Sequence, residues 1–297
     1  MLFPGSPSSY PTKDETADYL EMYAREFELP VRTGVKVDRL SKVRDRFEVM
    51  CGEQTLFAAN IVVATGAYHK PRIPPFTREL DESIVQLHST GYRNPSSLKE
   101  GGVLVVGAGN SGAEIAIELA HHHQTWLSGR DTGQEPTQAG SVPDRLFTPI
   151  MWLMATRLTV KTRAGRKLRD HFLHPPRGIP LGRVRRKDFV RAGIVRVPRM
   201  TGVLDRRPLL EDGKVLDVSN VIWCTGFTPD YSWIDLPLPI RNGYPVHDRG
   251  IVESCPGLYF VGLPFLYSLS SALLGGVGRD AKHIVDHIVL RDASKMG

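Results

Sequence analysis

The feature that most constrains this chain is the run Val103-Leu-Val-Val-Gly-Ala-Gly-Asn-Ser-Gly-Ala-Glu-Ile-Ala-Ile-Glu-Leu-Ala120. Four apolar residues lead straight into Gly107, Ala108, Gly109, Asn110, Ser111 and Gly112, and a helical pattern follows. Val103 to Val106 suit a parallel strand buried on both faces. After the turn, Ala113, Ile115, Ala116, Ile117, Leu119 and Ala120 supply an apolar side, while Glu114 and Glu118 are left for solvent. Strand, glycine turn and helix in this order hold a dinucleotide pyrophosphate. Gly107 permits the tight turn, Gly109 lets backbone approach phosphate, and Gly112 lets helix and strand pack closely. The helix start then presents free N–H groups and a positive dipole end to the anion.

The kind of nucleotide is set about 20 residues on, at the end of the next strand. That strand reads Gln124 to Ser128, and its tip is Ser128-Gly129-Arg130. An acid there would hold the ribose hydroxyl of NAD, whereas a hydroxyl and a guanidinium suit a 2′-phosphate. NADPH is therefore the expected cofactor, with Ser128 and Arg130 as ligands. Asp131 stands next door, and a small rotation of the loop would present it instead.

At 297 residues, 41% apolar and 24% charged, the chain reads as an ordinary globular protein of one large or two ordinary domains. No apolar run reaches the ~20 residues that span a bilayer, and the N-terminus lacks the basic and apolar regions of a signal peptide. Cys51, Cys224 and Cys255 lie far apart with no Cys-x-x-Cys, which argues against a dithiol reductase and a zinc ribbon. A reduced, cytoplasmic setting is expected. The net charge of +6 is uneven: between Arg157 and Arg199 fourteen basic residues face only Asp170 and Asp188. A solvated basic face, attraction of cofactor phosphates and contact with an anionic membrane all fit this block. Nucleic acid does not, because aromatic residues are sparse in it.

Elsewhere the patterns are local. Thr12 and Glu15 form a capping box ahead of Tyr19, Leu20, Met22, Tyr23 and Phe27, and Pro30 stops that helix. Strands are expected at Val31–Leu40, Phe47–Met50, Thr55–Ala59, Asn60–Gly66, Val195–Leu210, Val218–Thr225 and Gly257–Gly262. Gln134–Pro149 reads as loop. Phe147, Ile150, Met151, Trp152, Leu153, Met154 and Leu158 read as an apolar-faced helix entering the core, with a channel lining or a membrane-touching lid as the alternative. A closing helix carries Ile284, Val285, Ile288 and Val289. The consecutive His121, His122 and His123 do not converge as metal ligands, because helical neighbours point ~100° apart. No metal is expected.

Three further turns complete the pattern. Ala64-Thr65-Gly66, Thr225-Gly226-Phe227 and Gly262 each follow an apolar run. With the Gly107 motif between the first two, the order resembles the flavin-containing monooxygenases, and within them the bacterial branch named as flavoproteins involved in K⁺ transport. That resemblance covers essentially the whole chain. It implies an α/β fold with two Rossmann-like dinucleotide-binding domains: a first part of an FAD domain at 1–98, an inserted NADPH domain at 99–216, and the rest of the FAD domain at 217–297. It also implies that Ala64, Thr65, Gly66, Thr225, Gly226, Phe227 and Gly262 lie at the cofactors. His88 and Tyr92 match half of the family fingerprint; the positions of its Phe and Gly are Glu82 and Ile84. By resemblance these two residues would line the cleft between domains. The family opens with its own Gly-x-Gly-x-x-Gly for FAD, and none stands ahead of Gly107 here. The FAD domain is expected to be incomplete at its N-terminus, and FAD to bind only if the missing unit is supplied.

The implied reaction is NADPH-dependent reduction of FAD, then oxygenation of a small nucleophilic or carbonyl substrate by dioxygen through a C4a-hydroperoxyflavin. Two alternatives stay open: a non-catalytic NADPH-binding regulatory module, and an NADPH:acceptor reductase without oxygenation. Peripheral membrane contact and a homodimer are left open as well.

Overall fold

The computed structural model describes residues 1–5, 11–135, 141–173 and 178–296. Part of the expected Gln134–Pro149 loop, and Arg177 of the basic block, lie outside the described residues. The chain divides into two compact units, each assembled from separate runs. One takes Met1–Ala64, Thr137–Arg157 and Asp230–Gly297; the other takes Thr65–Pro136 and Leu158–Pro229.

In chain order the first run holds α1 (Lys13–Glu26), β1 (Arg39–Val43), β2 (Arg46–Cys51), β3 (Gln54–Ala58) and β4 (Ile61–Val63). The second holds β5 (Lys70–Pro71), β6 (Val85–His88), β7 (Val103–Val106), α2 (Asn110–Leu119) and β8 (Thr125–Ser128). The helix α3 (Val142–Arg157) returns to the first unit. Next come α4 (Arg163–Leu173), α5 (Arg186–Arg191), β9 (Val195–Val197), β10 (Met200–Leu204), β11 (Arg207–Leu210), β12 (Asn220–Trp223) and β13 (Phe227–Thr228). The last run holds β14 (Ile240–Arg241), β15 (Tyr244–Pro245), β16 (Leu258–Phe260) and α6 (Val277–Met296).

The second unit is built on a five-stranded sheet in the order β6-β12-β7-β8-β9, parallel throughout. Its middle strand β7 is buried along its whole length, as a strand covered on both faces must be. Alternation then sorts the side chains. Val103 and Val105 pack with Ala113, Ala116 and Leu119 of α2. Leu104 and Val106 turn the other way, toward Leu80, Met200, Leu210 and Trp223. Each such aliphatic side chain contributes about 1.5–3 kcal/mol of burial.

In the first unit, β1, β2 and β3 form an antiparallel sheet and β4 pairs with β16 in parallel. Leu40, Phe47, Val63, Leu258, Phe260 and Leu263 form its core. The capping box stands as expected: the Thr12 hydroxyl accepts from Glu15 N at 3.1 Å, and the Glu15 carboxylate accepts from Thr12 N at 2.7 Å. Two expectations fail. The strand foreseen from Val31 starts only at Arg39. The turn at Arg44 (φ 55°) pairs Val43 with Arg46, so β2 runs out at Cys51; Asp38 N still donates to Met50 O at 2.8 Å, and residues 31–37 have no partner strand among the described residues. The apolar helix foreseen as core begins at Val142, inside the expected loop, and leaves Ile150 to Met154 exposed.

Candidate functional site

The register of the parallel sheet brings three strand ends to one level. Val106 of β7 sits opposite Trp223 of β12 and Ser128 of β8. Beyond that level the backbones crowd. Gly107 N donates to Ser128 O at 2.8 Å, and Cys224 N donates to Val106 O at 2.8 Å. Gly107 has φ +112°, and a Cβ there would lie 2.1 Å from the Cys224 carbonyl oxygen. A Cβ on Gly112 would lie 1.8 Å from the Gly107 oxygen, so the first turn of α2 rests directly on the loop. At Gly109 a Cβ would meet nothing within 4 Å. The three glycines therefore differ: two are fixed by packing, and the third borders open space.

Gly109 is the N-cap of α2 and makes no side-chain cap. The N–H groups of the first turn lack an intrahelical acceptor, so this end is suited to an anion. Asn110 uses its amide otherwise: Nδ2 donates to Pro180 O at 3.2 Å and Oδ1 accepts from Gly182 N at 3.0 Å. That pair holds the 180–182 segment over the helix start. Ser111 is exposed and Ala108 is buried.

Chain order carries β7 to β8 on one side, while β12 lies on the other. Such a switch point opens a crevice at the carboxyl ends of the strands. Here it is a cleft of about 700 Å³ walled by Gly107, Ala108, Gly129, Arg130, Arg199 and Thr225. Arg72 and Thr132 also line it, and Ile73 to Phe76 form an apolar side. Among the described lining residues three are arginines and none carries a carboxylate. The Thr132 hydroxyl is buried with no hydrogen-bond partner among the described residues.

Asp131, the residue that could have reversed the cofactor preference, is engaged elsewhere. Its carboxylate accepts from Gly133 N at 2.9 Å and pairs with Arg186. The Gly133 hydrogen bond first, and Arg186 and Arg196 after it, hold its pKa below the usual range. Arg196 donates to Gly129 O at 2.9 Å and keeps the loop in place.

Ser128 also lines the cleft, but its hydroxyl is already engaged. It is fully buried; its hydroxyl donates to Pro198 O at 2.9 Å and accepts from Met200 N at 2.8 Å. The side chain ties β8 to the segment entering β10 and has no hydrogen left for a phosphate. Arg130, by contrast, is exposed at the cleft. Arg199 and Arg72 join it without a sequence signal of their own. Arg199 is one member of the basic block, and Arg72 stands in a proline-rich linker.

His88 also differs from a cleft-lining residue. At 8% exposure it lies at the end of β6 under Phe227, ring centroids 5.1 Å apart and edge-on. Thr90 N donates to Nδ1 at 3.3 Å, so the proton sits on Nε2, which donates to Gly226 O at 3.2 Å. Burial lowers its pKa. The neutral imidazole thus supports the Thr225-Gly226-Phe227 turn from beneath. Arg72 N donates to Gly226 O at 2.9 Å, and the Thr225 hydroxyl donates to Arg72 O. Tyr92 packs against the α2 side of the core. Burial first, then the Glu118 carboxylate, push its phenol above the ordinary range. Gly66, Gly226 and Gly262 all adopt positive φ (+70°, +82°, +75°), and a Cβ on any of them would meet nothing within 4 Å. Gly66 follows β4 by way of Ala64 and Thr65, and Gly262 follows β16.

The chain is similar to known proteins along most of its length. Residues 4–145 match the family described as pyridine nucleotide-disulphide oxidoreductase. An oxidoreductase of Geobacillus kaustophilus described as CzcO-like is 39% identical over 292 residues, covering 97% of this chain and 81% of that protein. The CzcO oxidoreductase of Bacillus subtilis is 32% identical, covering 96% of this chain and again 81% of that protein. Among solved structures, a mutant of the flavin monooxygenase from Stenotrophomonas maltophilia superposes with a TM-score of 0.71 at 25% identity, covering 97% of this chain and 80% of that one. The α/β fold with its parallel sheet is the fold of these neighbours. The chain belongs to the CzcO-like family of flavin monooxygenase-like oxidoreductases and is an enzyme of that kind.

Proposed function

We propose that this enzyme takes NADPH into the arginine-lined cleft of the second unit and uses it in a flavin-dependent oxygenation of a small nucleophilic or carbonyl substrate. One observation carries the reading: Arg72, Arg130 and Arg199 line a cleft that also takes in Gly107 and Ala108, the loop leading into the uncapped start of α2, with no carboxylate among the described lining residues. The residues fit the cofactor. Gly107, Gly109 and the first-turn N–H groups of α2 would take the diphosphate. Arg130 and Arg199 would take the 2′-phosphate, for which guanidinium forks are suited. The Thr132 hydroxyl would gain the acceptor it lacks. With Asp131 held by Gly133 and Arg186, its carboxylate is not free to select the ribose of NADH.

The flavin-binding part rests on the other unit, where Ala64 and Gly262 follow the paired strands β4 and β16. The open space at Gly262 lets backbone approach a ligand closely. When bound, the two cofactors supply hydride transfer and oxygen chemistry, and the protein supplies binding and orientation. The division into two units supports a nucleotide domain inserted into a flavin domain. The free thiols of Cys51, Cys224 and Cys255 support a cytoplasmic setting.

Calorimetric titration of the chain with NADPH and NADH tests the reading. NADPH is expected to bind at least tenfold more tightly, and Arg130→Ala to remove most of that preference while NADH affinity stays within about twofold. Equal affinities in the parent, or no uptake of NADPH by folded protein, would overturn it.

A further inference from the structure

The run that ends β8 and follows it, Ser128 to Thr132, lines the cleft at every position but one: Asp131 is missing from the lining. Each oxygen of its carboxylate has a partner. Oδ1 accepts from Gly133 N at 2.9 Å, and Oδ2 pairs with the Arg186 guanidinium. The first bond is local. An aspartate that accepts from the backbone two residues on makes a turn, and Gly133 supplies the positive φ of +81°. The second bond comes from 55 residues further along the chain.

Arg186 opens α5, and the backbone around it is fixed. Arg185 N donates to Asp188 Oδ2 at 2.8 Å, which closes the first turn of the helix. Arg185 Nη1 donates to Glu135 O at 2.7 Å. Leu181 N donates to Gly133 O at 3.0 Å, and Glu135 N donates to Leu181 O at 2.9 Å. These bonds join the segment after Asp131 to the segment before Arg186. Leu181 and Phe189 are buried in the core on the α2 side, and the Asn110 amide secures residues 180–182 to the start of that helix. All of these groups belong to the second unit. An exposed ion pair usually loses much of its worth in ordering two side chains. Here the backbone under both partners is already in place, and little beyond the arginine side chain is left to order.

Two plainer roles fit Arg186 poorly. It is not among the described residues that line the cleft, so it is not placed as a phosphate ligand. The two side chains are 69% and 51% exposed, so the pair adds little to stability. What the pair does change is the chemistry that the loop can offer a nucleotide. A carboxylate at the end of this strand accepts from the ribose hydroxyls of a nucleotide that lacks the 2′-phosphate, and it repels that phosphate where it is present. Asp131 stands between Arg130 and Thr132, both of which line the cleft, so a short rotation of a freed side chain brings it there. Arg196, the other cation acting on Asp131, gives its hydrogen bond to Gly129 O instead.

We propose that Arg186 is a specificity-determining residue that acts through Asp131: it holds the carboxylate away from the cleft and so suppresses recognition of NADH. The inference rests on the reading of the cleft as a nucleotide site. The test is calorimetric titration of the parent, Arg186→Ala, Asp131→Asn and the double variant with NADPH and with NADH. Both positions are exposed, and asparagine keeps an acceptor for Gly133 N without the charge. Arg186→Ala should bind NADH about twofold more tightly than the parent and lower the preference for NADPH about fivefold, the size of one released ion pair. In the Asp131→Asn background the same change should move the preference by less than about twofold. A cation that merely attracts phosphates would behave otherwise: its loss would weaken both nucleotides and act equally in either background. That result would overturn the proposal, and so would an Arg186→Ala variant that keeps the preference of the parent. A parent without preference for NADPH would overturn the nucleotide reading and this inference with it, so titration of the parent tells the two failures apart.

Discussion

The glycines of the nucleotide turn give the sharpest test, because the structure assigns them opposite costs. In Gly112→Ala the new methyl would stand 1.8 Å from the Gly107 oxygen, where ordinary contact begins at 3.4 Å. Neither partner can yield cheaply. Gly107 is tied by its N–H to Ser128 O, and a Cβ of its own would already collide with Cys224. Moving α2 away would lift Ala113, Ala116 and Leu119 from β7 and β8, where all three are fully buried. The cost lies at the upper end of overpacking, about 3 kcal/mol, or roughly 6–12 °C in Tm for a unit of this size. Gly109→Ala meets nothing within 4 Å, and φ −77° suits any residue. Alanine is poorer at an N-cap, and it also restricts the unfolded chain; these effects nearly offset, leaving a change within about 0.5 kcal/mol. That methyl would, however, stand in the path of the diphosphate, so NADPH affinity should fall at least tenfold, about 1.4 kcal/mol. Differential scanning calorimetry and NADPH titration on both variants separate the two effects. If Gly109→Ala melts as low as Gly112→Ala, the packing assignment is wrong. If Gly109→Ala binds NADPH like the parent, the diphosphate does not pass over that residue.

Other positions give shorter tests. Arg199→Ala should weaken NADPH about tenfold and leave NADH within about twofold, read by calorimetry, because the proposed pose gives this guanidinium the 2′-phosphate that NADH lacks. Ser128→Ala removes a hydroxyl that bonds two backbone groups in the core, so it should destabilise by about 1–3 kcal/mol in urea melts while the folded fraction binds NADPH normally. His88 gives a pH dependence. Burial holds its folded pKa below the ordinary 6.5. Below that value the unfolded chain binds a proton that the folded chain does not, so stability should fall with pH from about 6.5 down to the folded pKa. Urea midpoints for parent and His88→Gln across that window should show a shallower pH slope in the variant; an unchanged slope would remove His88 from the account.

The unit that carries the glycine turn is legible because its signals are local. Four apolar residues, a glycine turn and a helical repeat lie within Val103–Ala120, and their spacing alone fixes β7, the loop and α2. The capping box at Thr12 is legible for the same reason. The cleft is less so, because it is assembled across the chain: Arg72, Arg130 and Arg199 share one wall through parallel pairing and through the turn at Gly226, neither of which has a local signature. Ser128 shows the converse case. A hydroxyl at the tip of β8 has the right chemistry for phosphate, but Pro198 and Met200, distant in the chain, claim both of its bonds. His88 stands out through half a fingerprint, yet its role is hidden for the same reason, since Gly226 O is the group that fixes its tautomer. The apolar run of α3 reads by periodicity as core, yet five successive large apolar residues have no polar side for a soluble helix to turn outward. That conflict is present in the sequence itself, and periodicity alone does not settle which side of the helix the fold buries.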